Sequence, residues 1–321
     1  MHSLTWFYYL AAAGFGLIFG SFFNVVIYRL PRGEGLGKRS HCTTCEARIK
    51  WYDNIPVLSF ALLVGKCRGC RERISWRYPL IELSTSALFV ISYLWSRQVV
   101  PALVTSFSHP VTKGQPLVPE LFIGLIAVSV LIIATGTDID HGIIPNEVTY
   151  SGIAVMAMVI IGLAIYRGQP GRIGLALLAA FLLGGVFLVL SLVVGAWVNS
   201  REGHPPEEED PHKEERDLIE GGGEEDDDDE DEEEVPPMAG GMGDVKVLFF
   251  MGLAVGYFHW YFAAPVLLFS AFFGLIGVII TGLGPWEGRR KIRFAPYLTA
   301  GGLLTLFLGQ QIVDLYLKLL S

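Results

Sequence analysis

The chain has 321 residues, of which 52% are hydrophobic and 17% are charged. This composition is too apolar for an ordinary soluble protein, and it favours a protein that crosses a membrane several times. It excludes nucleic-acid-binding, collagen-like, coiled-coil and disulfide-scaffold classes, because the charge pattern and the sequence period that these classes need are absent.

The net charge of −8 comes from one acidic segment. Residues 201–234 contain 20 of the 32 acidic residues but only three of the 24 basic ones. The rest of the chain therefore carries an excess of basic residues. We interpret the loop 198–243, which contains this segment, as a solvated and disordered linker.

Seven apolar stretches are long enough to cross a bilayer, which needs about 20 residues per helix. One of them, 245–283, spans about 40 residues and must cross twice, with a turn at the aromatic residues Tyr257 to Tyr261. The sequence therefore predicts an all-α, polytopic membrane protein with about eight transmembrane helices. The stretches lie near 5–29, 79–96, 120–137, 148–166, 173–197, 245–283 and 296–319.

The basic residues of the loops predict the orientation in the membrane. The loop from Arg29 to Arg77 contains eleven Lys and Arg residues, and 288–293 contains four more, so both are expected in the cytoplasm. The loops near 97–119 and 167–172 contain two each and are expected on the other side. With eight spans, both termini are then also outside.

Two CxxC pairs lie in the first cytoplasmic loop with 21 residues between them. This spacing is typical of a zinc site with four thiolate ligands. A disulfide pairing is the main alternative, which a reducing cytoplasm disfavours, and redox chemistry is less favoured without a βαβ context. A loop of about 48 residues is too small for its own core, so a metal would stabilise it. We predict a small metal-binding domain with the ligands Cys42, Cys45, Cys67 and Cys70.

Asp138 and Asp244 stand at depths that are unusual for ionisable residues. Asp138 lies 18 residues after Glu120, about 27 Å along a helix, which places it at or just below the inner interface. Asp244 follows a glycine-rich run and opens a helix that reaches the outer aromatic residues within about 21 Å. Such residues are functional candidates, although Asp244 is alternatively a helix N-cap beside a glycine hinge.

Two carboxylates held a few ångströms apart cannot both ionise at low cost, so they share a proton. One then acts as a base on a water molecule while the other donates a proton to a carbonyl oxygen, which is peptide hydrolysis without a metal. Gly241 and Gly243 would support this chemistry, because glycine lets the backbone and a substrate approach the carboxylate closely.

The chain contains five segments that are informative in combination: GSFFNVVIYRLP (20–31), the cysteine-containing stretch 42–82, TDIDHGIIPN (137–146), GMGDVKV (241–247) and FAPYLTAGG (294–302). Together they resemble a bacterial type IV prepilin leader peptidase and N-methyltransferase. The resemblance covers nearly the whole chain apart from the acidic loop. It implies that Asp244, in a GxGD motif, and Asp138, seven residues before Pro145, are the catalytic pair, with Asp140 as a non-catalytic neighbour. Asn146 departs from the pattern, because the family commonly has a second acid there.

The resemblance implies an aspartic endopeptidase of the bacterial inner membrane. The outside, where the loop charges and eight spans place both termini, would then be the periplasm. The enzyme's substrates would be type IV prepilins and the pseudopilins of type II secretion. Their short basic leaders would be cleaved after glycine on the cytoplasmic side of the membrane. The resemblance also implies methylation of the new N-terminus, often phenylalanine, from S-adenosylmethionine. We hypothesise that the acidic loop attracts the basic leader by screened electrostatics.

The methyl donor would need a site formed by membrane helices and the cysteine loop, because no Rossmann-type GxGxxG motif follows a strand. Glu82, at the start of the second span, is a candidate for this cofactor site. Alternatively, its side chain snorkels to the interface or caps its helix.

Two other functions remain open on the sequence alone. One is a transporter or channel with intramembrane acidic cation sites, and the other is an inactive scaffold stabilised by a metal. The partners expected are prepilins and the lipid bilayer, with no nucleic acid. The predicted organisation is a first transmembrane helix (1–29), a four-cysteine zinc-type domain associated with methyl transfer (30–78), helices two to five with Asp138 (79–197), the acidic loop (198–243), and helices six to eight with Asp244 (244–321).

Overall fold

A computed structural model describes residues 5–100, 119–201, 241–282 and 293–320, and in these residues it contains helices and isolated β-bridges but no β-strand. The acidic segment of the predicted loop 198–243 lies outside the described residues. The helices are α1 (Thr5–Arg29), α2 (Leu58–Leu62), α3 (Arg77–Gln98), α4 (Leu121–His141), α5 (Asn146–Tyr166), α6 (Gly171–Arg201), α7 (Met242–Gly256), α8 (Ala263–Gly282) and α9 (Ala295–Leu320).

Seven of the described helices are long and apolar enough to cross a membrane, namely α1, α3, α4, α5, α6, α8 and α9. The prediction of an all-α, polytopic membrane protein is therefore confirmed. The one predicted span that is missing from these seven is α7. It has only 15 residues and is about 22 Å long, less than the roughly 30 Å hydrocarbon core. It begins after a glycine-rich run and ends before the turn that contains His259. From Val247 to Gly256 the residues of α7 are buried among other helices apart from the half-buried Phe249, and Val247, Leu248, Phe250 and Met251 are fully enclosed.

The glycines of a GxxxG pair bring α1 into close contact with α3. A Cβ atom on Gly16 would lie 2.5 Å from Cα of Ser86, and one on Gly20 would lie 2.7 Å from Cα of Glu82. Backbone atoms cannot move aside at such distances, so only glycine permits this approach. Small residues at helix contacts are the usual means of packing within a bilayer. The contact holds Glu82 directly against α1.

The helix α4 forms the centre of the bundle. In its membrane-spanning window 67% of the residues are buried, against 28% for α6 and 22% for α8. The two less buried helices therefore present apolar side chains outward, as a bilayer requires. Asp138 lies near one end of the central helix, where several helices can reach it.

An ion pair at the opposite end of the bundle joins α4 to the end of α5. Nε of Arg167 donates to Oε1 of Glu120 at 2.8 Å, and Nη2 donates to Oε2 at 2.9 Å. Glu120 has no exposed surface and Arg167 has 3%. Such a paired and buried arrangement loses much more stability when one partner is removed than an exposed pair does.

We expect Glu120→Ala to lower the free energy of unfolding by about 3 kcal/mol, because it removes the carboxylate from a buried guanidinium. Reversible unfolding of the detergent-solubilised protein measures this value. The matched control is Glu147→Ala, at an exposed position in the first turn of α5, with an expected change within about 0.5 kcal/mol. Equal effects of the two variants would contradict the role assigned to the buried pair.

Candidate active site and metal centre

Asp138 and Asp244 are 106 positions apart in the sequence, and the fold brings them to the same end of the bundle. Asp138 lies in the last turn of α4 and Asp244 in the first turn of α7. Each has 7% of its surface exposed, and their carboxylates are close enough to interact electrostatically. Two interacting carboxylates with limited access to water can share a proton and act as an acid and a base.

The start of α9 fixes the carboxylate of Asp138. The backbone N–H of Ala295, the first residue of α9, donates to Oδ2 of Asp138 at 3.1 Å. A helix N-terminus favours negative charge, and Arg293 adds a favourable electrostatic interaction. Sequence reasoning assigned no role to this segment. The signal that could have revealed it is Pro296, because proline favours the first turn of a helix.

Glycine shapes the start of α7 around Asp244. A Cβ atom on Gly243 would lie 2.9 Å from Cβ of Ile144, which follows α4. Gly243 thus lets the first turn of α7 approach the segment that follows Asp138. Gly241 precedes the helix and accepts a hydrogen bond from the N–H of Asp244 at 3.0 Å. A Cβ atom on Gly241 would meet only ordinary contacts. Of the two glycines, Gly243 is therefore the one whose position a larger residue would disturb.

Asn146, where the sequence departs from the family pattern, joins α5 to α7. Its Oδ1 accepts a hydrogen bond from Nζ of Lys246 at 2.5 Å. The amide thus makes a contact with Lys246 that an acid at the same position could also make. The departure leaves the link between these two helices in place.

Asp140 lies on a different face of α4 from Asp138. It forms an ion pair with Arg77 at the start of α3, and His141 contacts Arg32 with its Nε2 3.4 Å from Nη1. These contacts attach the end of α4 to the turn that follows α1 and to the start of α3. Asp140 is thus placed to hold the helix end.

We expect Asp140→Asn to keep leader cleavage within about tenfold of the unchanged protein, because it weakens an ion pair but leaves both candidate catalytic carboxylates. Initial cleavage rates on a synthetic prepilin peptide measure the effect. A loss as large as that of Asp138→Asn would show that Asp140 takes part in the reaction.

The four cysteines form one cluster, as their spacing predicted. Their sulfur atoms all lie within 4.8 Å of one another, and Sγ of Cys42 is 3.9 Å from Sγ of Cys70. Four thiolates around one zinc ion at about 2.3 Å have sulfur atoms about 3.8 Å apart, so the cluster fits a tetrahedral ion.

Each CxxC pair lies in the same kind of turn. The N–H of Cys42 donates to the carbonyl of Ala47 at 3.0 Å, and the N–H of Cys67 donates to the carbonyl of Glu72 at 2.8 Å. The residue after each second cysteine, Glu46 or Arg71, has a positive φ of 56° or 62°. The two turns therefore present their sulfur atoms in equivalent ways to one central position.

The charges of the cluster also favour a cation. Backbone N–H groups of Cys45 and Thr44 lower the pKa of Cys42 to about 6. The pKa of Cys70 is raised to about 11. The backbone N–H of Glu72 lowers this pKa, but burial and the three neighbouring sulfur atoms together raise it by more. Four adjacent thiolates repel one another, and a divalent ion between them removes that repulsion.

Glu82 lies on α3, and its side chain is buried against α1 and against Val57, the residue that precedes α2. Its Oε2 accepts the N–H of Val57 at 2.7 Å, and Ser21 on α1 forms a side-chain hydrogen bond with it. It does not snorkel to the interface, because 7% of its surface is exposed. Glu82 lines a cavity between the cysteine segment and the helices α1 and α3.

The fold and this site define a polytopic α-helical membrane protein with a pair of interacting aspartates at one end of its bundle and a cysteine cluster beside it. Residues 15–96 match the bacterial peptidase A24 N-terminal domain, and residues 125–279 match the type IV leader peptidase family. The chain belongs to the type IV leader peptidase family, as its motifs predicted.

Curated relatives support this assignment. The chain is 30% identical over 318 residues to a leader peptide-processing enzyme for type 4 prepilin-like proteins from Escherichia coli O78:H11, which covers 93% of each chain. It is 28% identical over 332 residues to a prepilin leader peptidase/N-methyltransferase from Pseudomonas aeruginosa, covering 94% of this chain and 91% of the relative. A relative of the same name from Klebsiella pneumoniae is 40% identical over 141 residues, 42% of this chain.

The match with the Klebsiella pneumoniae relative covers 54% of that protein's length, and a match with one from Myxococcus xanthus covers 36%. No solved structure matches the chain. Family membership favours the peptidase hypothesis over the transporter and the scaffold.

Proposed function

We propose that this protein is an aspartic endopeptidase of the bacterial inner membrane that cleaves the basic leaders of type IV prepilins and of type II secretion pseudopilins after glycine. The observation that carries the proposal is the pair of buried, interacting carboxylates of Asp138 and Asp244. The names of the relatives support the substrate class.

The chemistry requires one proton shared between the two aspartates. The ionised carboxylate takes a proton from a water molecule, whose oxygen attacks the scissile carbonyl carbon while the protonated carboxyl gives its proton to the carbonyl oxygen. The C–N bond of the resulting tetrahedral intermediate then breaks: the carboxyl that accepted a proton from water gives it to the leaving amine, and the other carboxylate takes a proton back from a hydroxyl of the intermediate. Both carboxyl groups return to their starting state after each cleavage.

The cysteine domain and the basic loops support a cytoplasmic location of this site. Asp138 is linked through the end of α4 to the basic residues Arg32 and Arg77 of the first loop. Loops rich in Lys and Arg remain in the cytoplasm, so the leader is cleaved there and both termini are periplasmic. Zinc bound by Cys42, Cys45, Cys67 and Cys70 stabilises the domain formed by this loop.

The second activity is methylation of the amine that cleavage releases. S-adenosylmethionine, when bound, would supply a methyl group to the neutral nitrogen of this amine, with the electron pair of the C–S bond going to sulfur and a proton leaving the nitrogen for solvent. The names of the relatives support this activity.

The test is reconstitution of the purified protein in vesicles with a synthetic prepilin that carries a basic leader and a Gly-Phe junction. With S-adenosylmethionine present, mass spectrometry is expected to detect cleavage at that junction and a product one methyl group heavier. Without S-adenosylmethionine only cleavage is expected. An intact peptide under both conditions would contradict the proposed function.

A further inference from the structure

The short helix α2 carries apolar side chains on two opposite faces. Phe60 and Leu63 line the cavity between the cysteine segment and the helices α1 and α3. Leu58 and Leu62, four residues apart, lie on the other face and are exposed, and the exposed Val64 follows the helix. We call Leu58, Leu62 and Val64 the outer face of α2. Exposed apolar clusters of this kind mark surfaces that contact a partner protein or a membrane.

Two contacts place α2 at the edge of the bilayer. The N–H of Val57, which precedes α2, donates to Oε2 of Glu82 at 2.7 Å, and the rings of Phe60 and Trp76 have centroids 4.8 Å apart. Trp76 directly precedes α3, and Glu82 lies in its second turn. The 22 residues of α3 span about 33 Å, close to the roughly 30 Å hydrocarbon core. The first turns of α3, and α2 beside them, therefore lie where the core meets the headgroups.

The contact with Trp76 also places α2 next to lipid. Trp76, Leu80 and Leu83 are spaced by four and three residues and share one face of α3. All three are exposed, Trp76 by 77%. Because α3 crosses the membrane, its exposed apolar face meets lipid. Phe60 packs against the first residue of this face, so the outer face of α2 adjoins a surface that lipid covers.

The charges of the segment suit the surface of a membrane. Residues 46–77 contain seven basic and three acidic residues, and Lys50 and Lys66 flank the apolar stretch that contains α2. Trp51, next to Lys50, is 80% exposed. Apolar and tryptophan side chains that are flanked by basic residues are typical of segments lying in the membrane interface. Anionic headgroups attract such basic residues.

Protein partners suit this surface less well. Its excess of basic residues repels the basic leader of a prepilin. The acidic segment 201–234 has the complementary charge, but Leu218 and Ile219 are its only aliphatic residues apart from proline. It therefore offers little apolar surface to cover three exposed aliphatic side chains.

We propose that the outer face of α2 inserts into the lipid leaflet on the side of the cysteine segment, with the flanking basic residues at anionic headgroups. None of the hydrophobic side chains of residues 40–76 is buried within the protein. Lipid thus supplies apolar contacts that this segment lacks. The insertion holds the cysteine segment against the bilayer, in addition to its covalent links to α1 and α3.

The first experiment measures the surroundings of position 62 in the full chain. The fluorescent amino acid dansylalanine replaces Leu62, and the protein is reconstituted in vesicles that contain anionic phospholipid. Lipids with a nitroxide on the acyl chain are expected to quench the fluorescence, whereas iodide on both sides of the membrane is expected to quench it little. The same label at Leu268, an exposed residue within α8, is the reference for full contact with lipid.

Two results of this experiment would overturn the proposal. Quenching by iodide without quenching by the nitroxide lipids would show that the outer face lies in water. Resistance to both quenchers would show that protein covers this face instead of lipid.

The second experiment uses a phospholipid with a photoreactive acyl chain and needs no fluorescent label. Trypsin cleaves after Lys50 and Lys66, so the outer face lies in the single peptide 51–66. We expect cross-linked lipid on this peptide in the unchanged protein. The combined change Leu58→Glu and Leu62→Glu is expected to lower that amount by about fivefold or more, because carboxylates oppose insertion among acyl chains.

The matched control is Leu62→Met, which keeps the face apolar and is expected to cross-link normally. Zinc content and cross-linking to α8, measured on the same samples, are expected to stay unchanged and report correct folding. Absence of lipid from peptide 51–66 in the unchanged protein, with α8 cross-linked, would overturn the proposal. Equal cross-linking in the double glutamate variant would also overturn it.

Discussion

Replacing either Asp138 or Asp244 with asparagine will lower kcat/KM for leader cleavage by about 10³-fold or more. Asparagine has almost the same shape as aspartate but can neither accept the proton from water nor donate one to the carbonyl oxygen. General acid–base groups contribute about 10² to 10⁴-fold each, and in the proposed mechanism the two carboxyl groups act as one unit through a shared proton. Cleavage of a synthetic prepilin under single-turnover conditions measures the loss.

The double variant separates a shared mechanism from two independent contributions. Removing either member of a catalytic unit costs nearly as much as removing both. We therefore expect the double variant to be close to each single variant in activity. Glu147→Gln, exposed near the same end of the bundle, is the control and should cleave normally. Retained cleavage by either single aspartate variant would contradict a catalytic pair formed by Asp138 and Asp244.

Removing the metal will unfold the cysteine segment and abolish methyl transfer. A structural zinc ion in a small domain contributes about 10 kcal/mol or more to folding, and none of the hydrophobic side chains of residues 40–76 is buried. We expect Cys42→Ser to reduce bound zinc to well below one ion per chain and to expose residues 40–76 to proteolysis. Elemental analysis and limited proteolysis of the purified protein measure both effects.

Leader cleavage should survive this change better than methyl transfer does. The candidate peptidase site uses α4, α7 and the start of α9, whereas the cysteine segment is linked to the end of α4 by Arg32 and Arg77, which flank it. Cleavage within about tenfold of normal is expected. Ser40→Ala, beside the cluster, is the control for substitution within the segment. Full zinc content and normal methyl transfer in Cys42→Ser would contradict the metal centre.

Hydropathy predicted the helices well, because the bilayer imposes a length and a composition on each of them. The stretch 245–283 was correctly divided at its aromatic turn, since His259 and its neighbours favour an interface. The short length of α7 was harder to anticipate. A short helix can cross here because neighbouring helices bury it. The hydropathy of a single segment does not indicate such packing.

The cluster of four cysteines was predictable because each pair is local and its spacing alone defines a ligand turn. The contact between Ala295 and Asp138 was not, since it joins residues that are 157 positions apart. Pro296 indicates the start of a helix, but it does not indicate which side chain the backbone N–H at that start contacts.

The catalytic assignment of Asp138 and Asp244 is tested most directly by an experimental structure of the protein with a prepilin peptide whose scissile amide is replaced by a non-cleavable reduced bond. The account predicts that one oxygen of each carboxylate lies within about 3 Å of the position of the scissile group, or reaches it through a single water molecule. Carboxylates that face different sides of the bundle in this complex would contradict the account.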